Sequence, residues 1–382
     1  MSWNKVSGQK EIKILLQRAI LNAHIAHAYC FTGNDGVGKE AMALMFAKVM
    51  NCEKPIIEDN NIDACGICPS CKLADKLQHP NIHLIFPLPP FKSDNENITD
   101  NLTETQLNEI REQLDLKADN LYYKIKISKA NQILINSIRD IKKELNMSSN
   151  YSQRKFIIVF NAEEMTTSAA NAFLKTLEEP SNNVTIILCT SKPDRILPTI
   201  LSRCQQIKFG LLSEQDLVDL LMKKHNINES DAKLFAQLGQ GSYLQAIEFL
   251  DEKILQIRNT VIEILRISLK KTFRVELIEK LYPIIQSKDK KIIEFFLKNL
   301  LVWLRDAIVI TKTNENKYII NQDQIEILKR FAQKFGNKPI EKIIELVESA
   351  IEYNSKNINQ QLLLINLFIN IRRELISNIL VT

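Results

Sequence analysis

The sequence predicts an α/β N-terminal domain, a parallel sheet with helices on both faces, followed by a small helical domain and an all-helical C-terminal domain. Three observations carry this. Short β-rich runs alternate with helical periodicity through residues 1–210, as in strands joined by crossover helices. The strand candidate His27-Ala28-Tyr29-Cys30-Phe31-Thr32 runs straight into Gly33-Asn34-Asp35-Gly36-Val37-Gly38-Lys39, and a helical pattern follows to Met50. Strand, glycine loop, helix is the context that a phosphate-loop match requires. From Glu252 to Thr382 the single glycine is Gly336, and apolar residues recur at helical spacing, as in Ile292-Ile293-Glu294-Phe295-Phe296-Leu297.

Further elements follow in order. Lys155–Phe160 and Val184–Cys189 read as buried strands. Between them Thr166–Glu179 reads as a helix with hydroxyl residues at its start and Pro180 past its end. Pro87-Leu88-Pro89-Pro90 opens a polar stretch to about Asn120, read as a surface insertion over 87–120 with a helix around Glu104–Leu114. A solvated loop without a specific role is the simpler account of it. After Phe209 the character changes. Ser213-Glu214-Gln215-Asp216 has the form of a helix start, and a small helical domain spans 211–251, broken at Gly239-Gln240-Gly241-Ser242. The all-helical domain then spans 252–382.

The chain of 382 residues, 45% hydrophobic and 25% charged, is of ordinary globular composition. Its net charge of +5 permits contact with nucleic acid without predicting it. No apolar run approaches the roughly 18 residues of a membrane span, and Met1-Ser2-Trp3-Asn4-Lys5 lacks a secretion-signal pattern. A cytoplasmic location is expected, with thiols kept reduced. Cys65-Gly66-Ile67-Cys68-Pro69-Ser70-Cys71, with Cys52 upstream, then reads as four thiolates for one tetrahedral zinc. An iron–sulfur cluster is the alternative for such a soft ligand set. Cys30 and Cys189 sit in apolar strand-like runs and are expected in the core.

The nucleotide motif is incomplete. Gly33, Gly36 and Gly38 supply a tight backbone whose N–H groups surround phosphates, and Lys39 adds a point charge. The next position, normally Ser or Thr for magnesium, is Glu40, whose carboxylate repels a polyphosphate although acids suit the first turn of a helix. The strand that should end in a magnesium-holding acid reads Phe156-Ile157-Ile158-Val159-Phe160-Asn161. Glu163, close in sequence, is the acid that would have to replace it. The expectation is weak or absent ATP/ADP binding and no useful hydrolysis.

Ala169-Ala170-Asn171-Ala172-Phe173-Leu174-Lys175-Thr176-Leu177-Glu178-Glu179-Pro180 and Leu197-Pro198-Thr199-Ile200-Leu201-Ser202-Arg203-Cys204 resemble the bacterial clamp-loader family of AAA+ proteins. The cysteine set and His79-Pro80 resemble it too. The likeness covers residues 1 to about 250, and the helical remainder by length and class. It implies that Arg203 reaches across a subunit interface to the γ-phosphate held by a neighbour, that Thr190 stands at the first sensor position, and that zinc is structural. Leu244 stands where the family's motor subunits carry a sensor arginine. With Glu40, Phe160 and Asn161, this departure implies a non-hydrolysing member. Its implied partners are gamma/tau-type motor subunits and the delta subunit in a heteropentameric ring, with the sliding clamp and primed DNA reached through the complex and no membrane. The rival readings are a catalytically active motor subunit of the same complex, and a zinc-bearing DNA-binding module with a vestigial nucleotide fold.

Overall fold

A five-stranded sheet forms the centre of the N-terminal part. Its strands, with a separate two-stranded pair, are β1 (Ala28–Thr32), β2 (Ile56–Glu58), β3 (Asn61–Asp63), β4 (Ile82–Ile85), β5 (Lys155–Val159), β6 (Val184–Thr190) and β7 (Gln205–Lys208). The large sheet runs β4-β5-β6-β1-β7 and every neighbouring pair is parallel; β2 and β3 pair antiparallel beside it. The structure is a computed structural model describing residues 2–58, 61–90, 102–146, 154–179, 183–286, 290–313, 318–356 and 358–376. Its contacts divide the chain into two units, Met1–Ile227 with Gly239–Gln245, and Asn228–Leu238 with Ala246–Thr382.

In the first unit, helices pack on both faces of the sheet, and eight helices are described there. These are α1 (Lys10–Leu21), α2 (Lys39–Met50), α3 (Pro69–Asp75), α4 (Glu104–Asp119), α5 (Ile135–Asn146), α6 (Thr167–Glu178), α7 (Pro198–Leu201) and α8 (Glu214–His225). Successive strand residues point to opposite faces. Tyr29 and Phe156 meet Phe46 of α2 edge-on, with ring centroids 5.8 and 5.5 Å apart. Cys30, Ile157 and Val159 join Ile138 of α5 and Phe173 of α6 in a second cluster. Every residue of β6 is buried, which is why it reads as a continuous apolar run without alternation. Helix α2 is enclosed almost all round, so its apolar residues show no single stripe.

Register sets the functional edge. Thr32 pairs with Thr190 and with Lys208, so β1, β6 and β7 end level, and the glycine loop leaves β1 at that edge. Val159 pairs with Leu188, so Phe160 and Asn161 emerge beside the same edge.

Two expectations change. The helix expected around Glu104–Leu114 runs on to Asp119, started by a capping box between Thr103 and Gln106. The stretch 87–120 is also no mere solvated loop, because Lys117 is fully buried; residues 91–101 lie outside the described part. Pro180 lies outside it as well. Thr166 caps α6 by accepting the Ala169 N–H at 3.2 Å, and Ser213 caps α8 through the Asp216 N–H at 3.1 Å, both as expected.

The second unit holds α9 (Glu229–Leu238), the end of α10 (Tyr243–Glu248), α11 (Glu252–Ser268), α12 (Phe273–Gln286), α13 (Lys290–Thr313), α14 (Ile325–Phe335), α15 (Ile340–Ser355) and α16 (Gln360–Ile376). Ile293, Phe296, Leu300, Leu304, Leu364 and Phe368 build one continuous core. Its buried charges are paired or hydrogen-bonded. Arg258 forks onto Asp323 at 2.6 and 2.8 Å, and Asp306 accepts from the Ile320 and Asn321 N–H groups. Among the described residues no helix is long and apolar enough to cross a membrane.

Candidate functional site

The glycine loop has the backbone its sequence implies. Gly36 and Gly38 sit at φ 78° and 97°, in the left-handed region that favours glycine. A Cβ on Gly36 would stand 2.5 Å from Ser242 Oγ and 2.6 Å from the Leu244 nitrogen. The loop is therefore roofed. Ser242 Oγ donates to the Asp35 carbonyl at 2.7 Å, and the Tyr243 N–H donates to the Gly36 carbonyl at 3.2 Å.

Lys39 is turned onto its own loop, where its ammonium donates to the Gly33 and Asn34 carbonyls at 2.6 and 2.7 Å. Burial pushes its pKa below the ordinary value, against the pull of Asp35. Burial alone would raise the Asp35 carboxyl, but the Lys124 ammonium 2.5 Å away and Lys39 outweigh it and hold the group below its usual range.

The two substituted metal positions meet at one side chain. The Lys117 ammonium, with no exposed surface, is ion-paired with the Glu40 carboxylate and donates to the Tyr123 carbonyl at 2.6 Å. It also stands 5.1 Å from the centroid of the Phe160 ring. The space left above the loop, bounded by Gly38, Lys39, Glu40, Lys117, Tyr122 and Leu244, is about 30 Å³. That is room for a water or two, where a ligand pocket takes hundreds of Å³. Glu163 does not replace the lost acid there: its Oε1 accepts from the Ser191 N–H at 3.3 Å and hydroxyl at 2.9 Å. Thr190, at the end of β6, accepts the Lys192 N–H at 3.0 Å and caps the strand. A magnesium–nucleotide, which the fold class implies, does not fit these residues.

The cysteines form a separate cluster, and the structure brings all four together. The Sγ atoms of Cys52, Cys65, Cys68 and Cys71 lie within 4.8 Å of one another, with Cys52–Cys65 at 3.5 Å and Cys65–Cys71 at 4.0 Å. A tetrahedron with metal–sulfur bonds of about 2.3 Å has edges of about 3.8 Å. The donor set therefore fits a structural zinc, leaving no open position for water. The β2–β3 pair takes up the long Cys52–Cys65 interval and returns the chain to the cluster. It is anchored where Trp3 Nε1 donates to the Ile62 carbonyl at 2.7 Å.

Backbone N–H groups point at the sulfurs. Cys65 N–H donates to Cys52, Cys68 N–H to Cys65 and Cys71 N–H to Cys68, at 3.3–3.4 Å. The Ile67 and Cys68 N–H groups draw the Cys65 thiol down to about 6. Burial pushes the Cys52 and Cys71 thiols up, and a divalent cation among four sulfurs reverses that. Cys30 and Cys189 are buried in their strands.

His79 locks this module to the sheet. Its Nδ1 accepts the Asn81 N–H at 3.1 Å, so Nε2 carries the proton and donates to Ser70 Oγ at 2.9 Å, which in turn donates to the Asn51 carbonyl. Burial pushes the imidazole below its ordinary pKa of about 6.5. The stability from this neutral ring is therefore complete above about pH 6.5 and is lost as pH falls through the lower folded-state value. Unfolding midpoints of the metal-loaded chain should drop over that interval, and His79→Gln should flatten the slope. An unchanged slope contradicts this role.

Arg203, after α7, is half-exposed. Its guanidinium donates to Glu178 Oε1 at 3.0 Å and to the Thr199 carbonyl at 2.9 Å. An intramolecular pair is thus present at the surface.

Lys117, Tyr122 and Lys124 are the site residues that motif reading missed. A signal existed for Lys117. Leu107, Ile110, Leu114 and Lys117 fall on one helical stripe, and a cation on an apolar stripe implies a buried partner.

A family model described as "DNA polymerase III, delta subunit" matches residues 8–213, and one described as "DNA polymerase III, delta subunit, C terminal" matches 252–373. The chain is 26% identical over 367 residues to DNA polymerase III subunit delta' of Bacillus subtilis (strain 168), covering 94% of this chain and 95% of that one. It is 27% identical over 254 residues to the subunit tau of the same organism, covering 65% of this chain and 37% of tau. It is 31% identical over 265 residues to the subunit gamma of Buchnera aphidicola subsp. Schizaphis graminum, covering 68% of this chain and 60% of gamma. The chain belongs to the DNA polymerase III delta-subunit family.

Proposed function

We propose that this chain is a delta-prime-type subunit of the clamp loader: an ATPase-deficient wedge that lends Arg203 to a neighbouring motor subunit while the sliding clamp is loaded on primed DNA. The observation that carries the reading is the closed loop, where Lys39 bonds its own carbonyls and Lys117 stands between Glu40 and Phe160. Phosphoryl transfer is catalysed by positioning and charge stabilisation around a bound metal–nucleotide. Such a site has the charge in the wrong hands and no room for the substrate. The full-length match to a delta' subunit supports the same assignment, since the tau and gamma matches stop at about two thirds of this chain.

In this reading the partners are gamma/tau-type and delta subunits in a cytoplasmic heteropentamer. Residues 211–251 serve as the lid, and 252–382 join the collar that holds the ring together. The four-cysteine module holds a structural zinc, and DNA is met through its phosphate backbone.

The purified chain should show no DNA-stimulated ATP hydrolysis, with turnover about three orders of magnitude or more below that of the assembled loader. The 31% identity to a gamma subunit favours the rival reading, an active motor subunit. Stoichiometric turnover by the isolated chain would establish that rival.

A further inference from the structure

Two lost metal ligands in one site are usually read as independent decay. Here both replacements contact the same ammonium. Glu40 occupies the position of the magnesium-holding hydroxyl, and Phe160 lies at the end of the strand that should supply the acid. Lys117 is ion-paired to the first, lies over the ring of the second, and uses a further proton on the Tyr123 carbonyl. It is fully buried, whereas the Glu40 side chain keeps 19% of its surface. A buried ammonium persists only with such partners around it.

We infer that Lys117 is a built-in cation that takes the divalent ion's place as counter-charge at this site, and that its segment holds the phosphate loop shut. Continuing from Lys117, the Tyr122 hydroxyl accepts the Ser7 N–H at 2.8 Å, and a Cβ on Gly38 would stand 3.1 Å from that hydroxyl. Lys124 then pairs with Asp35 of the loop. Glu40 and Phe160 are on this account a matched receptor for a lysine. An acid receives its charge and a ring receives its face, where a hydroxyl and an aspartate would receive magnesium. The loop is held rigid with neither nucleotide nor metal, as a wedge requires. The inference rests on the non-hydrolysing reading for what the site once held, and on the contacts above for what holds it now.

A double-mutant cycle on the full chain tests it. Glu40→Gln strands the buried ammonium and should raise the unfolding constant about a hundredfold. Lys117→Met should cost less, because the Glu40 carboxylate reaches solvent. Together they should cost at least tenfold less than the sum of the singles predicts. Magnesium at millimolar concentration should leave the wild type's midpoint unmoved. Should the variants fail to fold, amine acylation of the native wild type answers the same question: Lys117 should stay unmodified while exposed lysines such as Lys233 and Lys298 react. Additive variants, stabilisation by magnesium, or labelling of Lys117 at the surface rate would each overturn the inference. The parent reading fails separately, if the isolated wild type turns over ATP while Lys117 proves buried and coupled.

Discussion

If the four-cysteine cluster holds zinc as proposed, replacing Cys71 by serine is expected to abolish zinc binding and unfold the module between α2 and β4. Cys71 is fully buried and its sulfur stands 4.0 Å from that of Cys65, so no solvent ligand can substitute at its corner. The cluster has no counter-charge of its own among its four sulfurs, and ligation supplies folding free energy that the short β2–β3 pair and α3 lack alone. A loss of about 3 kcal/mol or more is expected, a fall of roughly 6–12 °C in the unfolding midpoint. Metal analysis should give one zinc per chain in the wild type and near none in Cys71→Ser. Cys52→Ser should match it, because the β2–β3 pair returns Cys65 to 3.5 Å from Cys52. Retention of a full equivalent of zinc by either variant contradicts a four-sulfur site. Cobalt substitution gives a second readout, through thiolate charge-transfer bands that weaken as ligands are removed.

Parts of this molecule are legible in sequence because the deciding interactions are local. The glycine loop is set by three residues near one another, and the two missing metal ligands stand out against the spacing of the motif. The helical C-terminal region follows from scarce glycine and sustained periodicity, and Phe296 and Leu297 are buried as that period requires. Contacts of long range were illegible. Lys117 meets Glu40 from 77 positions away, and nothing near Glu40 announces a partner, so the stretch reads as a surface insertion. Likewise β2 and β3 hold three residues each, too few to produce a periodic signal, so the route from Cys52 to Cys65 appears only in the fold. Glu178 belongs to the motif that carries the resemblance, yet its pairing with Arg203 depends on how α6 and α7 pack.

That pairing bears on the second large effect. A surface ion pair such as Arg203–Glu178 is worth about 0–1 kcal/mol. Stabilising a phosphoryl-transfer transition state with a donated guanidinium is worth about 10³–10⁵ in rate, roughly 4–7 kcal/mol. Transition-state stabilisation therefore outweighs the ion pair. If Arg203 acts as proposed, leaving Glu178 for a neighbour's γ-phosphate would cost little, and Glu178→Gln should leave the stability of the chain nearly unchanged. The most direct measurement is single-turnover ATP hydrolysis at the motor site beside this subunit, in a loader reconstituted with clamp and primed DNA, comparing wild type with Arg203→Ala. With assembly intact, the rate at that site should fall about a thousandfold or more. An unchanged rate would contradict the claim that this subunit completes its neighbour's active site.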